Sequence, residues 1–126
     1  GLSISTMARD VSQITTPGGF QGTPQFASPE QLKGEPLDVR SDIYAVGVTL
    51  YYLLTAQLPF DDKDLMALLT RIATEAPRSP RAVAAKVPTG LAQIVLRCLA
   101  KDPAARPATG TDETTRIISS MLAYPQ

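Results

Sequence analysis

Polar and apolar residues alternate without a sustained period over residues 1–27, and settle into helical spacing from residue 28 onward. The first stretch is rich in Ser, Thr, Gly and Gln and contains the breaker run Thr16-Pro17-Gly18-Gly19, which predicts a long, flexible loop of the kind that is usually functional or disordered. Ser28-Pro29-Glu30-Gln31-Leu32 has the chemistry of a helix start: a hydroxyl cap, proline in the first turn and a carboxylate facing the positive end of the dipole. Gly34 and Pro36 should stop that helix early. From Ser41 to Gln57 the residues are apolar or small on nearly every face, so a helix buried all round is predicted, with Ser41 or Asp42 available to cap it. Leu58-Pro59-Phe60-Asp61-Asp62 should end it and cap the next helix, where Leu65, Leu68, Leu69 and Ile72 follow the i, i+3, i+4, i+7 pattern.

Residues 76–88 hold three prolines and read as a connecting loop. Thr89 should cap a helix with Leu91, Ile94, Val95, Cys98 and Leu99 on one stripe, stopped by Lys101-Asp102-Pro103. A last helix is expected near Thr111, with Asp112 and Glu113 in its first turn and Ile117, Ile118, Met121 and Leu122 on its apolar side. The pattern thus gives a mainly α chain: one long loop followed by about five helices, with no internal repeat.

Composition narrows the chemistry. The chain has 126 residues, and 12 basic residues balance 12 acidic ones, so charge alone draws it neither to nucleic acid nor to an anionic membrane. There is no histidine, which excludes an imidazole base or ligand from this chain. The one cysteine, Cys98, permits no internal disulfide and fits a reducing, cytoplasmic setting as a small core residue. With one Cys and no His, no metal site is expected. The most apolar run, residues 43–54, is shorter than the roughly 18 to 20 residues needed to span a bilayer. The opening GLSISTMARD has neither the basic nor the apolar region of a signal peptide and reads as a piece of something longer.

Four motifs occur in a fixed order: Gly22-Thr23-Pro24-Gln25-Phe26-Ala27-Ser28-Pro29-Glu30, then Ser41-Asp42-Ile43-Tyr44-Ala45-Val46-Gly47, then Leu58-Pro59-Phe60, then Arg106-Pro107-Ala108-Thr109. In this order they resemble the lower half of a eukaryotic-type serine/threonine protein kinase, in wording closest to bacterial members, and the likeness covers nearly the whole chain. The resemblance implies the helical C-lobe portion of the α+β kinase fold. Residues 1–27 would be the activation segment and residues 28–126 the helical remainder.

What the family does with these positions gives further expectations. Thr23, Pro24, Gln25 and Phe26 would form the pocket beside the phosphoacceptor, with the Thr23 hydroxyl bonding the catalytic aspartate and lysine and favouring Ser/Thr over Tyr. Glu30 would pair with Arg106, whose guanidinium fork matches a carboxylate. Asp42 would accept backbone N–H bonds from the catalytic loop, or serve only as a cap. Gly47, expensive inside a helix, would mark close packing. Ser12, Thr15 and Thr16 would be phosphorylation candidates, although Gly19 stands where many members carry the phosphorylated threonine. Gly1 looks like the glycine of the magnesium-binding Asp-Phe-Gly motif, and Leu2-Ser3 fit what usually follows it.

The Gly-rich loop, the phosphate-pairing lysine, the catalytic aspartate and the metal-holding aspartate and asparagine are not in the sequence. ATP and Mg2+ are therefore expected to bind the complete domain and not this piece, no catalytic residue can be assigned within it, and the fragment alone should be inactive. Its partners would be the rest of the same kinase domain and a protein substrate. Two other readings stand beside this one: a pseudokinase or docking module that kept the helical lobe, and an unrelated all-α adaptor.

Overall fold

The computed structural model describes residues 23–108. The expectations for Gly1, Ser12, Thr15 and Thr16, and for the helix near Thr111, lie outside the described residues. A 3-10 turn at Pro24–Phe26 leads into five α-helices, here α1 Pro29–Leu32, α2 Val39–Thr55, α3 Leu65–Thr74, α4 Pro80–Val83 and α5 Thr89–Cys98, followed by a second 3-10 turn at Pro103–Ala105. No strand occurs among the described residues.

The core is built where α2 lies against α5. Ile43, Tyr44, Val48, Leu50 and Tyr51 of α2 bury themselves against Ile94, Val95, Cys98 and Leu99. Gly47 sits at the crossing: a Cβ built there would come within 2.7 Å of the Cys98 Cβ and 3.1 Å of the Leu99 Cδ2. The missing side chain is what lets the two helices approach. A smaller cluster joins Phe60 to Leu68 and Ile72 of α3, with Leu32 of α1 packed on it.

Several element ends differ from the sequence expectation, each for a local reason. The cap of α2 is Asp38, not Ser41 or Asp42: its extended backbone places the carboxylate to accept the Arg40 N–H at 2.8 Å, one turn earlier than the apolar run suggests. Asp42 stands in the first turn of α2 and is half-buried. The same helix ends on Ala56 in the left-handed region (φ 59°), a conformation that usually selects glycine. The cap of α3 is Asp64, accepting from the Met66 N–H at 3.3 Å, rather than Asp61 or Asp62. Within the expected loop of residues 76–88, Ser79 and Pro80 start the short α4, repeating the Ser-Pro start of α1. Thr89 is the first helical residue of α5, not its cap; Pro88 holds that place without a side-chain bond.

Burial of α2 against the described residues is one-sided. Tyr52 is 51% and Leu53 66% exposed, although both extend the apolar run. Along α3 the expected stripe is buried in part: Leu68 and Ile72 are buried and Leu69 is half-buried, but Leu65, in the first turn, is exposed.

Candidate functional site

The first layer of the site is α1 itself. Ser28 and Gln31 form a reciprocal capping box: the Ser28 N–H donates to Gln31 Oε1 at 2.6 Å, and the Gln31 N–H donates to Ser28 Oγ at 3.4 Å. Both residues are buried, so the box satisfies donors that could not reach water. It fixes the direction in which Glu30, one residue inside the helix, projects.

Glu30 meets Arg106, 76 residues away in sequence, in a two-pronged pair: Nη1 to Oε2 at 2.6 Å and Nη2 to Oε1 at 2.8 Å. Both side chains are buried, the arginine completely. Burial by itself would raise the Glu30 carboxyl, but hydrogen bonds from Arg106, from its own backbone N–H and from Ser41 outweigh it and hold the group below the ordinary glutamate value. The Ser41 hydroxyl donates to Oε2 at 2.8 Å. The arginine's remaining donors are also used, with Nε donating to the Ala100 carbonyl at 2.9 Å and Nη1 to the Arg40 carbonyl at 2.9 Å. Its Cζ lies 5.0 Å from the centre of the Tyr44 ring. This one guanidinium ties together α1, the start of α2 and the segment after α5. The Tyr44 hydroxyl, desolvated in the same place, has its pKa pushed up by burial.

Beside this anchor lies the turn of Thr23–Phe26. Thr23 is exposed; its carbonyl accepts the Phe26 N–H at 3.1 Å, and its side chain does not cap the turn. Gln25 donates from Nε2 to Asp61 Oδ1 at 3.3 Å, bracing the turn against the loop before α3. Arg71 of α3 donates to the Asp61 carbonyl, so that loop is itself held from below. Phe26 packs onto the α2–α5 core. The turn is thus gripped on both sides while Thr23 stays open to solvent.

No group of three or more His, Cys, Asp or Glu suited to a metal ion exists among the described residues, and no helix among them is long and apolar enough to cross a membrane. Compared with known proteins, the protein kinase domain family matches residues 6–120. The chain belongs to the protein kinase family.

Bacterial serine/threonine kinases are among the relatives of this kinase segment. It is 42% identical over 112 residues to the serine/threonine-protein kinase pkn3 of Myxococcus xanthus, covering 86% of this chain and 20% of that protein. It is 40% identical over 111 residues to the serine/threonine-protein kinase PksC of Streptomyces coelicolor, with the same coverage of 86% and 20%. Pkn1 of Myxococcus xanthus is 42% identical over 108 residues, 86% of this chain and 16% of that one. The chain spans a fifth or less of the length of these relatives. It is a helical part of the kinase fold.

Of the positions singled out in the sequence, the structure brings Glu30 and Arg106 together, puts Gly47 at the crossing of α2 and α5, and places Thr23, Pro24, Gln25 and Phe26 on one turn. Three contributors were missed. Ser41 and the Arg40 carbonyl complete the Glu30–Arg106 pair, and Asp61 braces Gln25. A serine beside an aspartate looked like a cap, so nothing in the pattern pointed Ser41 across to α1. Asp61 offered a signal only as an acidic residue directly after Leu58-Pro59-Phe60.

Proposed function

We propose that the chain is the substrate-side portion of an ATP-dependent serine/threonine protein kinase, with residues 1–27 as activation segment and 28–126 as helical scaffold, acting in the cytoplasm. The observation that carries this reading is the buried Glu30–Arg106 pair, whose glutamate follows the turn of Thr23–Phe26 by four residues. A buried two-pronged pair with every remaining donor satisfied makes a stiff anchor. Stiffness is what the acceptor side of a phosphoryl-transfer site requires, because the reaction is accelerated chiefly by holding the reacting groups in line.

In this reading each residue has a task. Gln25, held by Asp61, and Phe26, held by the core, fix the turn. Pro24 limits its backbone freedom. Thr23 presents its hydroxyl toward the catalytic residues of the complete domain and shapes a site that accepts a short Ser or Thr side chain from a protein substrate. Asp42, half-buried at the start of α2, receives the catalytic loop. The exposed apolar side of α2 at Tyr52 and Leu53 is covered by other parts of the domain.

Residues suited to ATP and Mg2+ are not found at this site. Its polar groups are a satisfied ion pair and an amide–carboxylate bond, and neither a phosphate-cradling loop nor a cluster of metal-binding oxygens is present among the described residues. The nucleotide and metal belong to the remainder of the domain, and the fragment alone is inactive.

The test is phosphorylation of a degenerate peptide library, with Ser, Thr or Tyr as acceptor, by the complete kinase and its Thr23→Ala variant. The wild type should label Ser and Thr peptides. The variant should lose at least about tenfold in kcat/KM, on the order of 1.4 kcal/mol for one transition-state hydrogen bond. Equal labelling by variant and wild type would remove Thr23 from the site, and no labelling by the wild type would favour a pseudokinase.

A further inference from the structure

Lys101 lies between α5 and Arg106, and its backbone carbonyl accepts from Arg106 Nη2 at 3.4 Å. Its ammonium is out of place by ordinary rules. The Nζ is buried and meets no hydrogen-bond acceptor among the described residues. Its nearest aromatic contact is the Phe60 ring, with Nζ 4.4 Å from the centroid. An ammonium taken from water without an acceptor is costly, and the face of one ring replaces only part of what hydration supplied.

The charged groups around it do not relieve the cost. Glu75, at the end of α3, favours the charged form but is committed to Arg71 at 3.0 Å. Arg71 itself points its Cζ at the same Phe60 ring from 6.0 Å. Arg106 opposes a second positive charge. An adjoining cavity of about 390 Å³ is lined by Lys101 with Glu30, Lys33, Glu35 and Asp102. Of these, Glu30 is engaged by Arg106 and Asp102 accepts the Ala104 N–H at 3.0 Å, while Lys33 and Glu35 are exposed.

We propose that Lys101 is a proton-sensitive joint between the Arg106-bearing segment and the Phe60 loop, which costs the fold stability while the amine is charged and gives that stability back when the amine loses its proton. Desolvation pushes the Lys101 ammonium down to about 8, with Glu75 resisting and Arg106 assisting. The folded value is below that of the unfolded chain, about 10.4, so between the two the unfolded chain holds more protons. The Lys101 contribution to stability therefore rises with pH across that window, and its cost is fully present below pH 8. The joint is close to the substrate-side turn, because Phe60 is followed by Asp61, the partner of Gln25.

The experiment follows lysine Cε resonances of the complete kinase during a pH titration, with Lys101→Arg identifying the Lys101 signal, and melts the wild type and Lys101→Met at each pH. One lysine signal, absent from Lys101→Arg, should titrate near pH 8. Lys101→Met should melt above the wild type near neutral pH, with the difference shrinking as the solution becomes alkaline. A Lys101 midpoint at the ordinary lysine value would overturn the proposal. So would a Lys101→Met protein that folds but melts no higher than wild type at neutral pH. The wild-type titration stands as a direct reading whatever the variant does.

Discussion

Arg106→Ala is expected to destabilise the complete kinase domain by about 3 to 5 kcal/mol, the usual result of removing one partner from a buried pair and leaving the other charge alone. The substitution would strip Glu30 of both its bonds to the guanidinium, leaving only that from Ser41, and free the Ala100 and Arg40 carbonyls of their donor. In a domain of about 250 residues each kcal/mol is worth roughly 2 to 4 °C, so the melting temperature should fall by on the order of 10 °C. Arg106→Lys should recover little, since an ammonium cannot reproduce the fork. The pair should also be visible in acid. With Glu30 held below its ordinary value, its contribution is complete above that value, about 4.3 in an unfolded chain, and is lost as the pH falls through the lower folded value. Chemical denaturation at neutral and acid pH checks both statements, and an Arg106→Ala protein that melts like the wild type would refute them.

Gly47→Ala should destabilise even though alanine is the better helix former by about 1 kcal/mol. The added methyl would come within 2.7 Å of the Cys98 Cβ, whose position is fixed by the backbone of α5. Relief requires the two central helices to separate, and overpacking of this kind typically costs about 1 to 3 kcal/mol. The sign is the useful part: helix propensity alone predicts a rise in melting temperature, and the crossing geometry predicts a fall. Because Cys98 is buried, with its thiol pushed up to about 11 mainly by desolvation, reaction with a thiol reagent should be faster in the variant as the crossing opens.

The sequence made some of this legible and hid the rest for definable reasons. Helices with a strong signal, such as Leu68 and Ile72 on α3 or Leu91, Ile94 and Val95 on α5, are where the periodicity puts them. Their first residues were harder to place, because several polar residues compete for each cap. Asp38 prevailed over Ser41 and Asp42 since only its backbone is extended just before the helix. The short α4 was hidden among prolines, although Ser79-Pro80 has the same chemistry as Ser28-Pro29.

At the site, the resemblance pointed to Glu30 and Arg106 as partners, but the distance between them in the chain left Ser41 and the Arg40 carbonyl unseen. Lys101 was read only as part of the stop after α5. A lysine before Asp-Pro reads as a solvated helix end, and only the fold shows its ammonium against Phe60. Likewise, the apolar run of α2 suggested burial on every face, while the folded segment buries one side and leaves Tyr52 and Leu53 open. That difference is what the proposed remainder of the domain would account for.

The central claim is that this segment belongs to a kinase that transfers phosphate, and it is tested most directly by reading the coding sequence immediately upstream of the Gly1 codon. The account predicts Asp-Phe directly before Gly1, preceded by an Arg-Asp loop with its lysine and asparagine. A different residue at either aspartate would contradict it and make the parent a pseudokinase.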